Sequence, residues 1–137
     1  MKKSNKIVHT SGKRKSAVAR ATIQPGSGKV IINKTPIEIY SPQLSKERIM
    51  EPVLLLGDGS KKIDISVTIN GGGVSSQADA ARVAIGKGLV AFTKDKNVEQ
   101  MFADYDRQLL VSDVRRKEPA KPNRHGQARA KRQKSYR

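Results

Sequence analysis

Few residues in this chain could do acid–base or redox chemistry. The two histidines, His9 and His125, stand near opposite ends in strongly basic surroundings. Neither has a nearby carboxylate or a second ligand at metal-like spacing. Asp104 and Asp106 flank Tyr105, and paired carboxylates can share proton-transfer work. Without a nucleophile or base beside them they read as a solvated turn. Cysteine is absent, which removes thiol nucleophiles, disulfides and cysteine zinc sites. The glycine-rich stretch "NGGGVSSQ" suggests a nucleotide loop, but the Walker pattern needs glycine, four residues, then Gly-Lys-Ser/Thr. Here Ala81 holds the first glycine position and Gly88 follows Gly86-Lys87. The dinucleotide spacing fails as well. An enzyme, a metal protein and a cofactor carrier are all disfavoured, and no small-molecule substrate is expected.

What the chain does supply is positive charge. Its 28 lysines and arginines against 12 acids give a formal net charge of +16. The distribution is uneven. Residues 1–20 hold seven basic residues and no acid, 21–114 hold eleven of each, and 115–137 hold ten basic residues and one acid, Glu118. Two cationic ends on a neutral middle are the footprint of a polyanionic partner, nucleic acid foremost. The candidate contacts are Lys13, Arg14, Lys15 and Arg20 around a turn and strand, then Arg115, Arg116, Lys117, Lys121, Arg124, Arg129, Lys131 and Arg132. The bland alternatives are an edge strand protected by charge and a solvated tail. Gly71, Gly72 and Gly73 either expose backbone N–H groups to a phosphate or make a tight turn needing positive φ. With two Phe, three Tyr and no Trp, base stacking cannot dominate as it does in single-strand binders. Backbone electrostatics must, which selects structured RNA or DNA recognised by shape.

The elements that position these groups follow from periodicity. Ile7 to Thr10 is a short strand. Ser16 to Gln24 alternates, with Ala17, Ala19, Ala21 and Ile23 on one side, and Lys29 to Asn33 is a β-branched run. The Pro25–Gly28 turn between the two predicts an antiparallel hairpin. Ser41-Pro42 predicts a helix start with Ser41 as N-cap. Pro52 should break or re-aim that helix, and Gly57-Asp58-Gly59 should stop it. Ile63, Ile65, Val67 and Ile69 alternate with polar residues in a strand with one wet face. After the glycines a long helix runs from about Ser76 to Thr93. Ser76 is its expected N-cap and Asp79 completes the box. Ala81, Ile85, Leu89 and Phe92 share one face of it. Asn97 to Tyr105 is a further short helix, and Leu109-Leu110-Val111 is the last apolar cluster.

The length suits one domain. A globular body over 1–112 and a tail over 113–137 are expected. The tail is too poor in apolar residues to order itself without a partner. Fully extended, residues 115–137 would reach on the order of 70–80 Å. No apolar run approaches a membrane span and no secretory signal is evident, so a soluble, intracellular protein is expected.

Several stretches carry a family resemblance. "GKRKSAVARATIQPGSGKVIIN", "DISVTINGGGVSSQADAARVAIGKGLVAF", "YDRQLLVSDVRRKEPAKP" and the ending "QKSYR" are together similar to the universal ninth-protein family of the small ribosomal subunit. The last two resemble its archaeal and eukaryotic branch, and the length and compact N-terminus look archaeal. Bacterial members end in Ser-Lys-Arg, where this chain has Lys-Ser-Tyr-Arg. The resemblance implies a two-layer α/β fold, in the α+β class. It would be a four-stranded mixed sheet with helices on one face, a left-handed βαβ crossover and a long extended basic C-terminal tail. It implies a place in the head of the small subunit among neighbouring head proteins, on ribosomal RNA. The tail would reach the anticodon stem-loop of tRNA in the peptidyl site. Arg137 would be the tRNA contact, with Lys134 and Tyr136 beside it. A free histone-like packaging protein or RNA chaperone is the alternative reading of the charge pattern.

Overall fold

A computed structural model describes residues 6–129. Its centre is the strand that the sequence marks most clearly, β5 (Ile63–Asn70). Along it buried Ile63, Ile65, Val67 and Ile69 alternate with more exposed residues. The other strands are β1 (Val8–Arg14), β2 (Ala17–Pro25), β3 (Val30–Ile32) and the two-residue β4 (Thr35–Pro36), and the sheet order is β1-β2-β5-β3-β4. The four longer strands make the expected mixed sheet, and β4 adds a short edge beyond β3. Three helices, α1 (Gln43–Leu56), α2 (Val74–Thr93) and α3 (Lys96–Tyr105), complete the body. Side chains from β2, β5, α1 and α2 share one core with Phe102 and Leu109. The opposite face of the sheet is open.

The expected hairpin between Ser16–Gln24 and Lys29–Asn33 does not form. β5 lies between them, antiparallel to β2 and parallel to β3. The loop between them is built to splay the strands. Asp64 Oδ1 accepts the N–H groups of Ser27, Gly28 and Lys29 at 2.8, 3.1 and 3.0 Å. The loop thus closes around a residue of β5 instead of across to β3. These hydrogen bonds hold the Asp64 carboxyl below its ordinary pKa, with Lys29 N–H first among them. The hairpin that does form is β1–β2, in which Arg14 pairs with Ala17 and Lys15 takes a positive φ of 53°.

The β3–α1–β5 connection is left-handed. Ile65 N–H donates to the Lys29 carbonyl and Val67 O accepts from Asn33 N–H. The β5 residues that face the helices therefore turn their main-chain groups toward β3. For L-residues this sets β3 to the right when β5 runs away from the viewer with the helices above. The chain then crosses leftward over the helical layer, against the usual right-handed preference.

Small residues bring that layer close. Ala17, Ala19 and Ala21 are fully buried, as are Ala80, Ala81 and Ala84. A Cβ on Gly12 would lie 2.4 Å from Ala80 O, and one on Gly88 would lie 2.3 Å from Ile23 Cδ1. Weak strand formers hold a strand here because burial against α2 outweighs propensity.

Helix boundaries depart from expectation. α1 has Pro42, not Ser41, at its N-cap and continues through Pro52, which is buried. Packing of the Pro52 ring into the core offsets the lost hydrogen bond. α2 begins after Gly73 with no side-chain cap, so Ser76 lies inside the helix. Asp79 instead meets arginines, as described below. Gly57, at φ 68°, ends α1 as expected, and Asp95 caps α3 through Asn97 N–H. Among the described residues no helix is long and apolar enough to cross a membrane.

Candidate nucleic-acid interface

Three segments far apart in sequence meet at one end of the sheet. The first is the β1–β2 turn carrying Lys15 and Ser16. The second is the glycine turn after β5, where Gly71 and Gly72 take φ of 75° and 68°. A Cβ on Gly71 would stand 2.7 Å from Ser16 O, and one on Gly72 2.8 Å from Ala17 Cβ. The tight-turn role of these two glycines is therefore real, and it seats them against the basic turn. Gly73 at φ −96° has open space around its Cα. The third segment is the chain from Asp113 to Lys117. Arg14, Lys15, Ser16, Arg115, Arg116 and Lys117 line a groove of about 700 Å³ between the turn and this segment.

Asp113 joins the third segment to the body. Its carboxylate, only 9% exposed, lies 3.1 Å from Arg14 Nη1 and 2.6 Å from Arg115 Nη2, and it also accepts Arg115 N–H at 2.9 Å. The Arg115 guanidinium, then its N–H, then the Arg14 charge hold the Asp113 carboxyl far below the ordinary carboxylate range. Arg116 bends back onto the Asp113 carbonyl at 3.0 Å. Beyond this point residues 113–120 carry no helix or strand. A turn follows, in which Lys121 N–H donates to Gln127 O, while Glu118 accepts from Arg129 at 2.9 Å. Lys121 Nζ donates to Ala128 O at 2.8 Å.

The predicted contact residues divide accordingly. Arg14 lies on the helix side of β1, and it faces Asp79 at 3.8 Å as well as Asp113. Its charge is internally paired, so it braces the site more than it offers itself. Lys15, Arg116 and Lys117 are exposed around the groove. Lys13 and Arg20 are exposed on the open sheet face instead. Arg20 lines a separate hollow of about 560 Å³ with His9, Ser11, Thr22 and Thr68. Lys121, Arg124 and Arg129 are exposed farther along the chain. Lys131, Arg132, Lys134, Tyr136 and Arg137 lie outside the described residues. Sequence reasoning missed Asp113 as the anchor; an acid just ahead of a basic run was the available signal. It also missed the paired cluster next to the groove. There Arg82 donates to Glu51 at 2.6 Å and to Asp106 at 2.9 Å, and Arg48 meets Asp79 at 2.9 Å. Arg82 is thereby held protonated above its ordinary pKa, although its partial burial works the other way. Asp106, which the sequence presented as a solvated turn, is one of its partners. Among the described residues no group of three His, Asp or Glu side chains is arranged to hold a metal.

Known proteins resemble this chain over nearly all of its length. The family model for ribosomal protein S9/S16 matches residues 12–137. This chain belongs to the ribosomal protein S9/S16 family. Among its S9/S16 relatives, "Small ribosomal subunit protein uS9" of Methanococcus maripaludis is 52% identical over 133 residues, which is 96% of this chain and 99% of the relative. The proteins of the same name from Picrophilus torridus and Thermoplasma volcanium are 54% and 52% identical. Those matches span 92% and 95% of this chain, and 94% and 98% of the relatives. All three organisms are archaea, in keeping with the branch that the ending and the length resemble.

Proposed function

We propose that this S9/S16-family protein is a structural, non-enzymatic constituent of the small ribosomal subunit, and so of the cytoplasmic ribosome. Family membership and the names of its relatives support this. It binds ribosomal RNA in the head of the subunit, next to neighbouring head proteins. The observation that carries the RNA reading is the groove in which Lys15, from the first hairpin, faces Arg115, Arg116 and Lys117. Exposed lysines and arginines on two converging segments suit the phosphates of a folded RNA. Gly71, Gly72 and Gly73 let the backbone come close at the same end. Residues 1–112 act as the body. Residues 113–137 act as a tail that is ordered on RNA, its ordering cost offset by phosphate contacts and counterion release. Lys121, Arg124, Arg129, Lys131 and Arg132 would supply those contacts along the way. Arg137 would meet the anticodon stem-loop of tRNA in the peptidyl site, with Lys134 and Tyr136 beside it. A terminal guanidinium is planar and permanently charged, which suits a phosphate at the end of a reach.

Gradient sedimentation of lysate followed by a high-salt wash tests the ribosomal role. Retention on small subunits supports it. Comigration with DNA, or release at moderate salt, points to free packaging of nucleic acid. Deleting residues 134–137 tests the tail: subunits should assemble while tRNA is held more weakly in the peptidyl site. Unchanged tRNA retention would remove the tail from that role.

A further inference from the structure

The face of the sheet turned away from the helices is mostly polar across β1, β2 and β5, with Val18 and Ile31 half-buried at its margins, and the ribosomal reading leaves it unused. Its exposed positions line up across three strands. His9 is opposite Thr22, and Thr22 opposite Ser66. Ser11 is opposite Arg20, and Arg20 opposite Thr68. Lys13 stands one step further along β1 on the same side. His9 Nδ1 and Thr22 Oγ1 are 3.2 Å apart, and the middle of this face is the hollow that holds Arg20. The patch measures on the order of 10 by 14 Å, from strand spacing and rise.

We propose that this face is a second RNA-docking surface, one that lies across the minor groove of a double-helical segment of ribosomal RNA. Its chemistry sets the occupant. Four hydroxyls both donate and accept, as ribose 2′-hydroxyls do, and Lys13 and Arg20 supply charges for the flanking phosphates. No Phe, Tyr or Trp stands in these two rows to stack an unpaired base, and the one ring there, His9, is engaged with Thr22. No carboxylate in these two rows opposes an anion, and Asp64 near the end of the sheet is already committed to the N–H groups of the β2–β3 loop. A protein partner would want an apolar centre, whereas hydroxyls and Arg20 occupy this one. A flat sheet fits the wide, shallow minor groove of A-form RNA and cannot enter its deep, narrow major groove. This inference rests on the ribosomal function proposed above.

The absence of cysteine allows a direct test. Ser11→Cys and Thr68→Cys, each carrying a tethered iron chelate that generates hydroxyl radicals, are assembled into small subunits. Glu47→Cys on α1 serves as the helix-side control. The expected result is strong cleavage of base-paired ribosomal RNA from both sheet-face positions, at sites that Glu47→Cys does not cut. A Thr22→Val, Thr68→Val variant keeps strand propensity while losing two hydroxyls, and it should bind purified small-subunit RNA about tenfold more weakly. Cleavage no stronger than the control, cleavage confined to single-stranded RNA, or unchanged affinity of the valine variant would overturn the inference. If the unmodified protein itself fails to enter small subunits, the ribosomal reading is what fails.

Discussion

Arg14 and Asp113 meet at 3.1 Å. The contact joins the first strand of the sheet to the start of the last, basic segment. The same carboxylate holds Arg115, so a single acid sets where the chain leaves the body and aims Arg116 and Lys117 past Lys15. The groove depends on this geometry.

Replacing Asp113 with Asn should loosen that start without unfolding the sheet. Arg14 would keep only Asp79, at 3.8 Å, and the hydrogen bond from Arg115 N–H would weaken. Hydrogen exchange should show faster exchange at Arg115 and unchanged protection in β5. Equal loss of protection in both places would mean that Asp113 is a general stability element.

Acid should destabilise the protein through its depressed carboxylates. Asp64, Asp106 and Asp113 all have folded pKa values below the ordinary 3.8. Their stabilisation is therefore fully present above the unfolded value and is lost as pH falls through the lower folded ones. Urea midpoints should be nearly flat from about pH 8 to 5 and decline below about pH 4. Asp64→Ala should cost about 1 kcal/mol at neutral pH by removing the acceptor of three loop N–H groups. Asp64→Asn, which keeps an acceptor oxygen, should cost less.

Gly12→Ala should be among the most damaging single-methyl additions. The new Cβ would fall 2.4 Å from Ala80 O and 2.7 Å from Ala84 N, both main-chain atoms of α2. Moving a helix off the sheet costs about 1–3 kcal/mol. Gly59→Ala would meet only Leu56 side-chain atoms at 3.4 Å or more and should change stability by less than about 0.5 kcal/mol. Comparable midpoints for the two variants would contradict the close packing of β1 on α2.

If Lys15, Arg116 and Lys117 contact phosphates, changing all three to Gln should make the negative slope of log affinity against log salt shallower by roughly 2 to 3. The same change should leave stability nearly untouched, since these side chains are exposed. An unchanged slope would place the RNA elsewhere on the protein.

Much of this was legible in the residues. The alternation of Ile63 to Asn70, the glycine turn and the apolar face of Ala81, Ile85 and Leu89 stand as read, because periodicity reports burial directly. Phe92, read on the same face, is only half-buried at its end. The partner of each strand was not legible. Local turn chemistry at Pro25–Gly28 suggested a hairpin, and only Asp64, far along the chain, shows why the loop opens to admit β5. Pro52 does not break α1, because packing in the core decided the outcome over propensity. Charge counting found the cationic ends but could not separate Arg14, internally paired, from exposed Lys15. Strand parity was the missed clue, since Arg14 shares its side of β1 with buried Gly12.

The most direct test of the central claim, that the hairpin turn and the segment after Asp113 form one RNA-binding surface, is protein–RNA crosslinking within purified small subunits. Mass spectrometry would then place the crosslinked peptides on the RNA. The account predicts that the Lys15 and Lys117 peptides attach to the same short stretch of ribosomal RNA. Attachment to remote stretches, or crosslinks from Lys117 alone, would contradict it.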